Sequence, residues 1–444
     1  MLTISILTLS VLYGSYDSRT GGVTSPHALL QRYRRQAAVS DTSSPSQVLV
    51  AGGGIGGIAA ALALVRRGFA VKVLEQSPQL GEIGAGIQLG PNAFAAFDAL
   101  GIGEIARGRA VYTDEMVMHD ALDESLVGRI PTGAAFRERF GNPYAVIHRA
   151  DVHGSLFEGA QATRRIELAT STQVQRIEQD DTGVTVFDAG GGRHRGIALI
   201  GADGVKSAVR RQYVGDDARV SGHVVYRAVV DKKDFPADLA WNAASIWVGP
   251  NCHLVHYPLR GGEQYNVVVT FHSRDKEEWS VREGSRAEVQ SYFEGICARA
   301  RQLIDLPKDW KRWATADRDP IGQWNYGRAT LLGDAAHPTL QYLAQGACMA
   351  MEDAVTLGEA LRVNDNDFGK AFALYQRSRV ARTARIVLSA REMGRIFHAR
   401  GVERLVRNEL WQGRSPERFY DAMEWLYGWK VENCLGAPTP GETR

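Results

Sequence analysis

Val48-Leu49-Val50-Ala51-Gly52-Gly53-Gly54-Ile55-Gly56-Gly57 is the stretch that decides the fold. The apolar residues Val48–Ala51 make a short strand, the glycines make a turn, and the alanine-leucine run Ile58–Arg67 makes a helix that Gly68 ends. A second strand, Val71–Leu74, follows and closes on Glu75. Gly52, Gly54 and Gly57 supply G-x-G-x-x-G in a full strand–turn–helix–strand context, which points to a dinucleotide-binding unit. In such a unit Gly52 makes the tight turn and Gly54 lets the backbone approach a pyrophosphate at the positive helix N-terminus. Gly57 then lets helix and sheet pack closely. Glu75 is placed to accept hydrogen bonds from a ribose.

Outward from that unit, composition sets the class. With 444 residues, 44% apolar and 23% charged, the chain can bury one large core or two coupled ones without metal or disulfide staples. Its 52 basic and 50 acidic side chains nearly cancel, which argues against a nucleic-acid surface and for a small-molecule ligand. Cys252, Cys297, Cys348 and Cys434 are far apart, with no CxxC pair and no metal-ligand spacing, so they suit buried thiols in a reducing, cytoplasmic setting and predict no metal. No apolar run is long enough to span a bilayer.

Residues 1–46 are expected to form a disordered or mis-started extension. Met1–Gly14 is apolar but lacks the basic region of a secretory signal, and Leu29–Ala38 carries Arg32, Arg34 and Arg35 without an acid, so a targeting segment is the alternative.

The dinucleotide pattern runs over 47–222, with Val184–Phe187 and Ile197–Ile200 as further strands, the latter entering Gly201-Ala202-Asp203-Gly204. From His223 to Phe271 it gives way to successive alternating strands joined by turns such as Arg260-Gly261-Gly262, which predicts an antiparallel-sheet substrate domain over 223–318. The α/β pattern resumes over 319–378, with strand Ala329–Leu332 and a helix through Met349–Leu361. Residues 379–444 form a C-terminal helical region, with amphipathic segments Arg379–Leu410 and Pro416–Trp429. The expected fold class is therefore α/β: a Rossmann-like nucleotide domain interrupted by an antiparallel-sheet domain and followed by C-terminal helices.

The kind of dinucleotide is decided by Gly333-Asp334-Ala335-Ala336-His337-Pro338 after a buried strand, with Gln345-Gly346-Ala347 opening the next helix. Asp334 can bind a ribityl hydroxyl, and the backbone near Pro338 and Gly346 can face an isoalloxazine ring. Together with the Asp203 motif, these make three separated motifs in the order found in FAD-dependent aromatic hydroxylases.

The likeness sharpens over GEIGAGIQLGPNAF (81–94), HVVYRAVV (223–230), HLVHYPLRGG (253–262), GDAAHPTLQYLAQGACMAMEDA (333–354) and MEWLYGWKVENC (423–434). In these the chain resembles the 3-hydroxybenzoate 6-hydroxylase family of single-component flavoprotein monooxygenases, from about Val48 to the C-terminus. The resemblance implies tightly bound, non-covalent FAD, NADH and O2 as co-substrates, conversion of 3-hydroxybenzoate to gentisate (2,5-dihydroxybenzoate) through a flavin hydroperoxide, and a homodimer in the bacterial cytoplasm. It also implies that His253, Tyr257 and Gln341 handle substrate and that Gln88 and Arg149 contact FAD.

The residues themselves agree in part. His253, Val255 and Tyr257 are two apart on a strand and share a face, whereas Leu254 and His256 point away. His253 is the expected base because an unperturbed imidazole titrates near neutrality while a phenol titrates near about 10. Gln341 would fix the ring's rotation, and Tyr257 would hold the ring or its carboxylate. His256 is expected to pack. Trp425, Tyr427 and Trp429 are expected in core or dimer interface. No second glycine turn exists for NADH, which excludes a two-nucleotide reductase. A salicylate hydroxylase-like enzyme and a non-catalytic FAD-binding protein remain as alternatives.

Overall fold

The computed structural model describes residues 47–81 and 85–436. The expected N-terminal extension, and residues 82–84 of the GEIGAGIQLGPNAF stretch, lie outside the described residues.

Strand Gln47–Ala51 is almost wholly buried because it sits inside a six-stranded sheet. The strand order is Asn325–Tyr326, Ala329–Leu331, Ala198–Gly201, Gln47–Ala51, Ala70–Leu74 and Ile166–Ala169. All neighbours run parallel except at the Asn325–Tyr326 edge. The first helix, Ile55–Arg66, starts three residues earlier than its alanine-leucine run, because Gly54 already takes the N-cap position with an extended backbone. Gly52 has φ +98°, and a Cβ there would overlap Ala202 O; a Cβ on Gly57 would overlap Gly52 O. These are the turn and close-packing roles read from the spacing. Helix Gly346–Val363 packs on Ile55–Arg66.

A second, eight-stranded sheet carries the other half of the molecule. The alternating run 223–271 contributes strands Arg219–Asp231, Ala243–Gly249, Cys252–Leu259 and Gln264–His272. Val281–Glu283 and Lys311–Asp317 extend one edge, and Glu115–Asp120 and Leu126–Pro131 the other. The sheet is therefore mixed rather than purely antiparallel, since Ala243–Gly249 and Glu115–Asp120 run parallel. Parallel neighbours need a long connection, which the intervening nucleotide-binding segments provide.

The two faces of this sheet differ. One packs Tyr226, Trp247, Leu254, Tyr265, Val267 and Val269 against helices Arg286–Tyr292 and Ala298–Asp305. The other opens on a cavity. The register aligns Arg227, Val268, Val255, Ile246, Met118 and Gly128 as one cross-strand row along that cavity.

The expected helix Arg379–Leu410 is two helices, Phe368–Phe397 and Gly401–Trp411, and the second C-terminal helix spans Pro416–Tyr427. The break falls at His398-Ala399-Arg400, and Gly401 takes φ +53°, a conformation suited to glycine. Cys252, Cys348 and Cys434 are buried free thiols, and Cys297 is half-buried.

A buried ionic cluster ties the long helix to the nucleotide end. Arg379 donates to Asp353 Oδ1 (2.6 Å) and Glu352 Oε2 (2.7 Å), and Arg382 donates to both oxygens of Glu352 (2.7 Å each). Asp353 Oδ2 in turn accepts from Gly333 N (3.0 Å) and lies 2.5 Å from His337 Nε2. Fully paired buried charges of this kind fix geometry more than they add stability. Here they hold the Gly333–Pro338 loop, which explains why the motif continues into Glu352 and Asp353.

Candidate active site

A cavity of about 600 Å³ runs from the glycine turn to the mixed sheet and on to the C-terminal helices. Its nucleotide end is walled by Gly54, Ile55, Gly204, Asp334 and Gly346. A Cβ on Gly54 would meet nothing within 4 Å. Helices Ile55–Arg66 and Gly346–Val363 both begin at this wall without a side-chain cap, so their first N–H groups are available to an anion. Main chain stripped of side chains, facing open space at two helix starts, fits the diphosphate and ring of a flavin dinucleotide. Gln88 and Arg149 line the same cavity; Gln88 Oε1 accepts from Tyr144 Oη, and Arg149 opens helix Arg149–Gln161.

Gly52, Gly57, Glu75 and Asp203 stand behind this wall rather than in it. Glu75 braces the turn: Oε2 accepts from Gly53 N (2.6 Å) and Oε1 from Ser77 N (2.8 Å). Asp203 turns away from the cavity and caps helix Ala208–Tyr213, accepting from the Ser207 hydroxyl and from Ala208 N (2.7 Å). Its neighbours Ala202 and Gly204 reach the cavity instead. The Asp203 carboxylate thus shapes the loop that faces the cofactor.

His253, Val255 and Tyr257 all line the cavity, as the two-residue period requires. Gln341 lies in the short helical turn Gln341–Leu343, and its Nε2 approaches Thr270 Oγ1 at 3.5 Å. Thr270 is the cross-strand partner of His253, so the register brings Gln341 beside the histidine. The following residue but two, Ala344, has φ +52°, a strained conformation for a residue with a Cβ that bends the chain back to Gly346. Tyr257 lies against Gly86: a Cβ there would sit 2.5 Å from Tyr257 Cε2 and 2.8 Å from its hydroxyl. Burial raises the Tyr257 phenol above its ordinary range, so it stays a donor.

His253 departs from the expectation of a base that titrates near neutrality. His253 is only 3% exposed, and burial, helped by the nearby His223, pushes its pKa down to about 3 rather than leaving it near neutrality. His253 is therefore a neutral imidazole, with Nδ1 2.8 Å from His398 Nε2. His256, on the other face, does pack: its ring lies against Phe235 and Trp241, neither ring nitrogen has a hydrogen-bond partner among the described residues, and its pKa is likewise about 3.

The C-terminal aromatics are in core, as expected. Trp429 packs on the main core, and Trp425 and Tyr427 belong to a second cluster that also lines the cavity, with Trp425 under the Arg385 guanidinium at 4.0 Å.

Sequence reasoning missed Arg227, Arg414 and His398. Arg227 lines the cavity close to Tyr257; its Nε has no hydrogen-bond partner among the described residues, and burial lowers its pKa. A charged residue inside the apolar stretch Val224–Val230 was the available signal. Among the lining residues the charged side chains are Arg149, Arg227, Arg414 and Asp334, an excess of positive charge that suits an anionic ligand.

A flavin-sized end joined to an electropositive, histidine-bearing sheet defines a class: an FAD-dependent monooxygenase of aromatic substrates. The chain belongs to the FAD-binding family whose sequence profile, described as an FAD binding domain, matches residues 45–388. It is 81% identical over 397 residues to 3-hydroxybenzoate 6-hydroxylase of Polaromonas naphthalenivorans (strain CJ2), covering 89% of this chain and 99% of that protein. Among solved structures it is similar to a variant of Klebsiella pneumoniae HpxO complexed with FAD (27% identity, TM-score 0.78, 86% of this chain and 99% of that one). It is also similar to a salicylate hydroxylase substrate complex (26% identity, TM-score 0.74, 89% and 98%). No helix among the described residues is long and apolar enough to cross a membrane.

Proposed function

We propose that this enzyme hydroxylates 3-hydroxybenzoate at the carbon para to its hydroxyl, giving gentisate, with NADH as reductant and O2 as oxygen source. The observation that carries the proposal is the shared face of His253, Val255 and Tyr257, with Gln341 beside it, in the same cavity as Gly54, Asp334 and Gly346. The 81% identical relative bears the matching name.

When bound and reduced, the flavin supplies an activated oxygen atom to the aromatic ring. The chain's own residues do the rest. The Gly54 and Gly346 backbone receives the diphosphate and ring, Asp334 the ribityl chain, and Gln88 and Arg149 the remaining polar edges. NADH docks transiently on the same half of the molecule. His253 Nε2, which has no hydrogen bond among the described residues, accepts the phenol proton, because a phenolate donates electron density to its ortho and para carbons far better than a phenol. Gln341 fixes the hydroxyl's direction, and Tyr257 donates to the ring's carboxylate. Arg227, near Tyr257 and Arg149, keeps the cavity positive and so favours both the carboxylate and the phenolate. The apolar wall of Val255, Ile246 and Met118 excludes water from the reacting oxygen.

We also propose a homodimer. Val402, Leu405, Val406 and Leu410 form one exposed apolar face of helix Gly401–Trp411, at spacings that a second copy would cover.

The test is a screen of hydroxybenzoates for stimulated NADH oxidation, followed by product identification. Gentisate from 3-hydroxybenzoate is expected. Catechol from salicylate as the preferred reaction would instead make this a salicylate hydroxylase-like enzyme.

A further inference from the structure

A base buried in an apolar wall needs somewhere to put its positive charge. His253 lies against the rings of Tyr342 (5.4 Å between centroids) and Phe397 (5.6 Å), with no carboxylate hydrogen-bonded to it. Its Nδ1 partner is instead the imidazole of His398, 8% exposed, in the break between the two long helices. His398 is held there by its backbone: its N–H donates to Gly394 O (3.2 Å) and its carbonyl accepts from Asn251 N (3.1 Å), next to the start of the His253 strand. A carbonyl in that place could only orient His253, and a carboxylate would add a permanent charge. A second neutral imidazole can take the proton over.

We propose that His398 is the proton-sharing partner of His253, so that the phenol proton is stored on a histidine dyad rather than on His253 alone. This rests on the reading of His253 as the base. In the resting state His253 carries its proton on Nδ1 and donates it to His398 Nε2. As the substrate O–H bond breaks, a new N–H bond forms at His253 Nε2; the Nδ1–H bond breaks, and the proton joins His398 Nε2. The products of this step are a phenolate, a neutral His253 and a His398 imidazolium, one residue further from the cavity. When the hydroxylated ring regains aromaticity, its C–H bond breaks and that proton leaves to solvent, while the dyad returns the stored proton to the substrate oxygen and both tautomers reset. His398 is a positioning residue, since it acts on substrate only through His253.

The groups facing the dyad come from five elements. His223, edge-on to His398 with centroids 5.4 Å apart, and the exposed His272 beside His223 lie on neighbouring strands. Tyr342, in the Gln341–Leu343 turn, is 2.7 Å from His223 Nδ1. Arg219 and Asp317 act on His223 with opposite charge, and Arg407 donates to Phe397 O (3.3 Å) beside His398. Burial above all, and then His253, His223 and His272, disfavour a charge on His398, so its imidazolium forms only opposite the negative charge of the ionised substrate.

The experiment compares wild-type, His398→Gln, His398→Ala and His253→Ala holoenzymes with 3-hydroxybenzoate, reading FAD content, the phenolate absorbance of bound substrate and the hydroxylation rate, the last two across pH. His398→Gln keeps an acceptor for Nδ1 but cannot take a proton. It should retain FAD and bind substrate, yet need a pH at least one unit higher for the same phenolate fraction, and hydroxylate roughly tenfold more slowly at neutral pH. Imidazole added to His398→Ala should restore part of the rate. A His398→Gln enzyme with the wild-type pH profile, alongside a slow His253→Ala enzyme, overturns the dyad and leaves the base in place. If His253→Ala is also unaffected, the base reading fails instead. Should the variants lose FAD, 15N histidine spectra of the wild-type holoenzyme decide: substrate should protonate His398 Nε2, and an imidazolium confined to His253 overturns the proposal.

Discussion

The two ends of the cavity are made of different material. At the nucleotide end the wall is main chain: Gly54, Gly204 and Gly346 expose backbone, while Glu75 and Asp203 spend their carboxylates holding loops in shape. At the sheet end the wall is side chain, with His253, Tyr257, Arg227 and Gln341 projecting from strands and turns far apart in sequence. A ligand bound by backbone needs room, so its site fails when a side chain is added. A ligand bound and activated by side chains needs ionisable groups in a dry place, so its site carries a desolvation cost and fails when side chains are removed.

Gly54→Val tests the first half of that contrast and has the largest expected effect. The new side chain meets open space in the protein and the diphosphate in the holoenzyme, so the variant should fold normally yet purify colourless, with FAD occupancy near zero by flavin absorbance. A yellow, fully loaded Gly54→Val protein would break the comparison at its backbone end.

The cost at the sheet end should appear as acid sensitivity. His256 is the cleanest probe, because neither ring nitrogen is bonded among the described residues and it does not line the cavity. Its folded pKa of about 3 lies below the unfolded value near 6.5. As pH falls through that window the unfolded chain binds the proton first, and the native state loses about 1.4 kcal/mol per pH unit. His256→Leu removes that loss, so its stability in urea should decline less steeply between pH 6.5 and 4 than the wild type's. Identical acid limbs would show that burial at His256 does not set the acid stability. His223, held at about 4, contributes in the same direction.

This difference in material also explains what could be read in the sequence. The glycine turn was legible down to individual roles, because backbone geometry is encoded by consecutive residues: Gly52 turns, Gly54 faces open space, and Gly57 lies on Gly52 O. The shared face of His253 and Tyr257 was legible from the strand period alone. The rest depends on register and tertiary placement. Gln341 reaches the His253 neighbourhood only through Thr270, 71 residues away, and His398 is 145 residues from the ring it bonds. The amphipathic pattern ran on through 398–400, and only Gly401 marked the break that sets His398 against the sheet. Strands Glu115–Asp120 and Leu126–Pro131 went unread because they join the second sheet from far away in the chain, one of them by a parallel pairing with Ala243–Gly249.

In the proposed reaction one cavity joins a flavin end to a sheet whose His253 takes the phenol proton. The most direct measurement follows NADH oxidation, hydrogen peroxide and gentisate separately in His253→Ala holoenzyme supplied with 3-hydroxybenzoate at neutral pH. Full FAD content is expected, with gentisate formation slowed about 100-fold or more and the reducing equivalents diverted to peroxide. Gentisate formed at the wild-type rate, with NADH consumption still fully coupled, would contradict it.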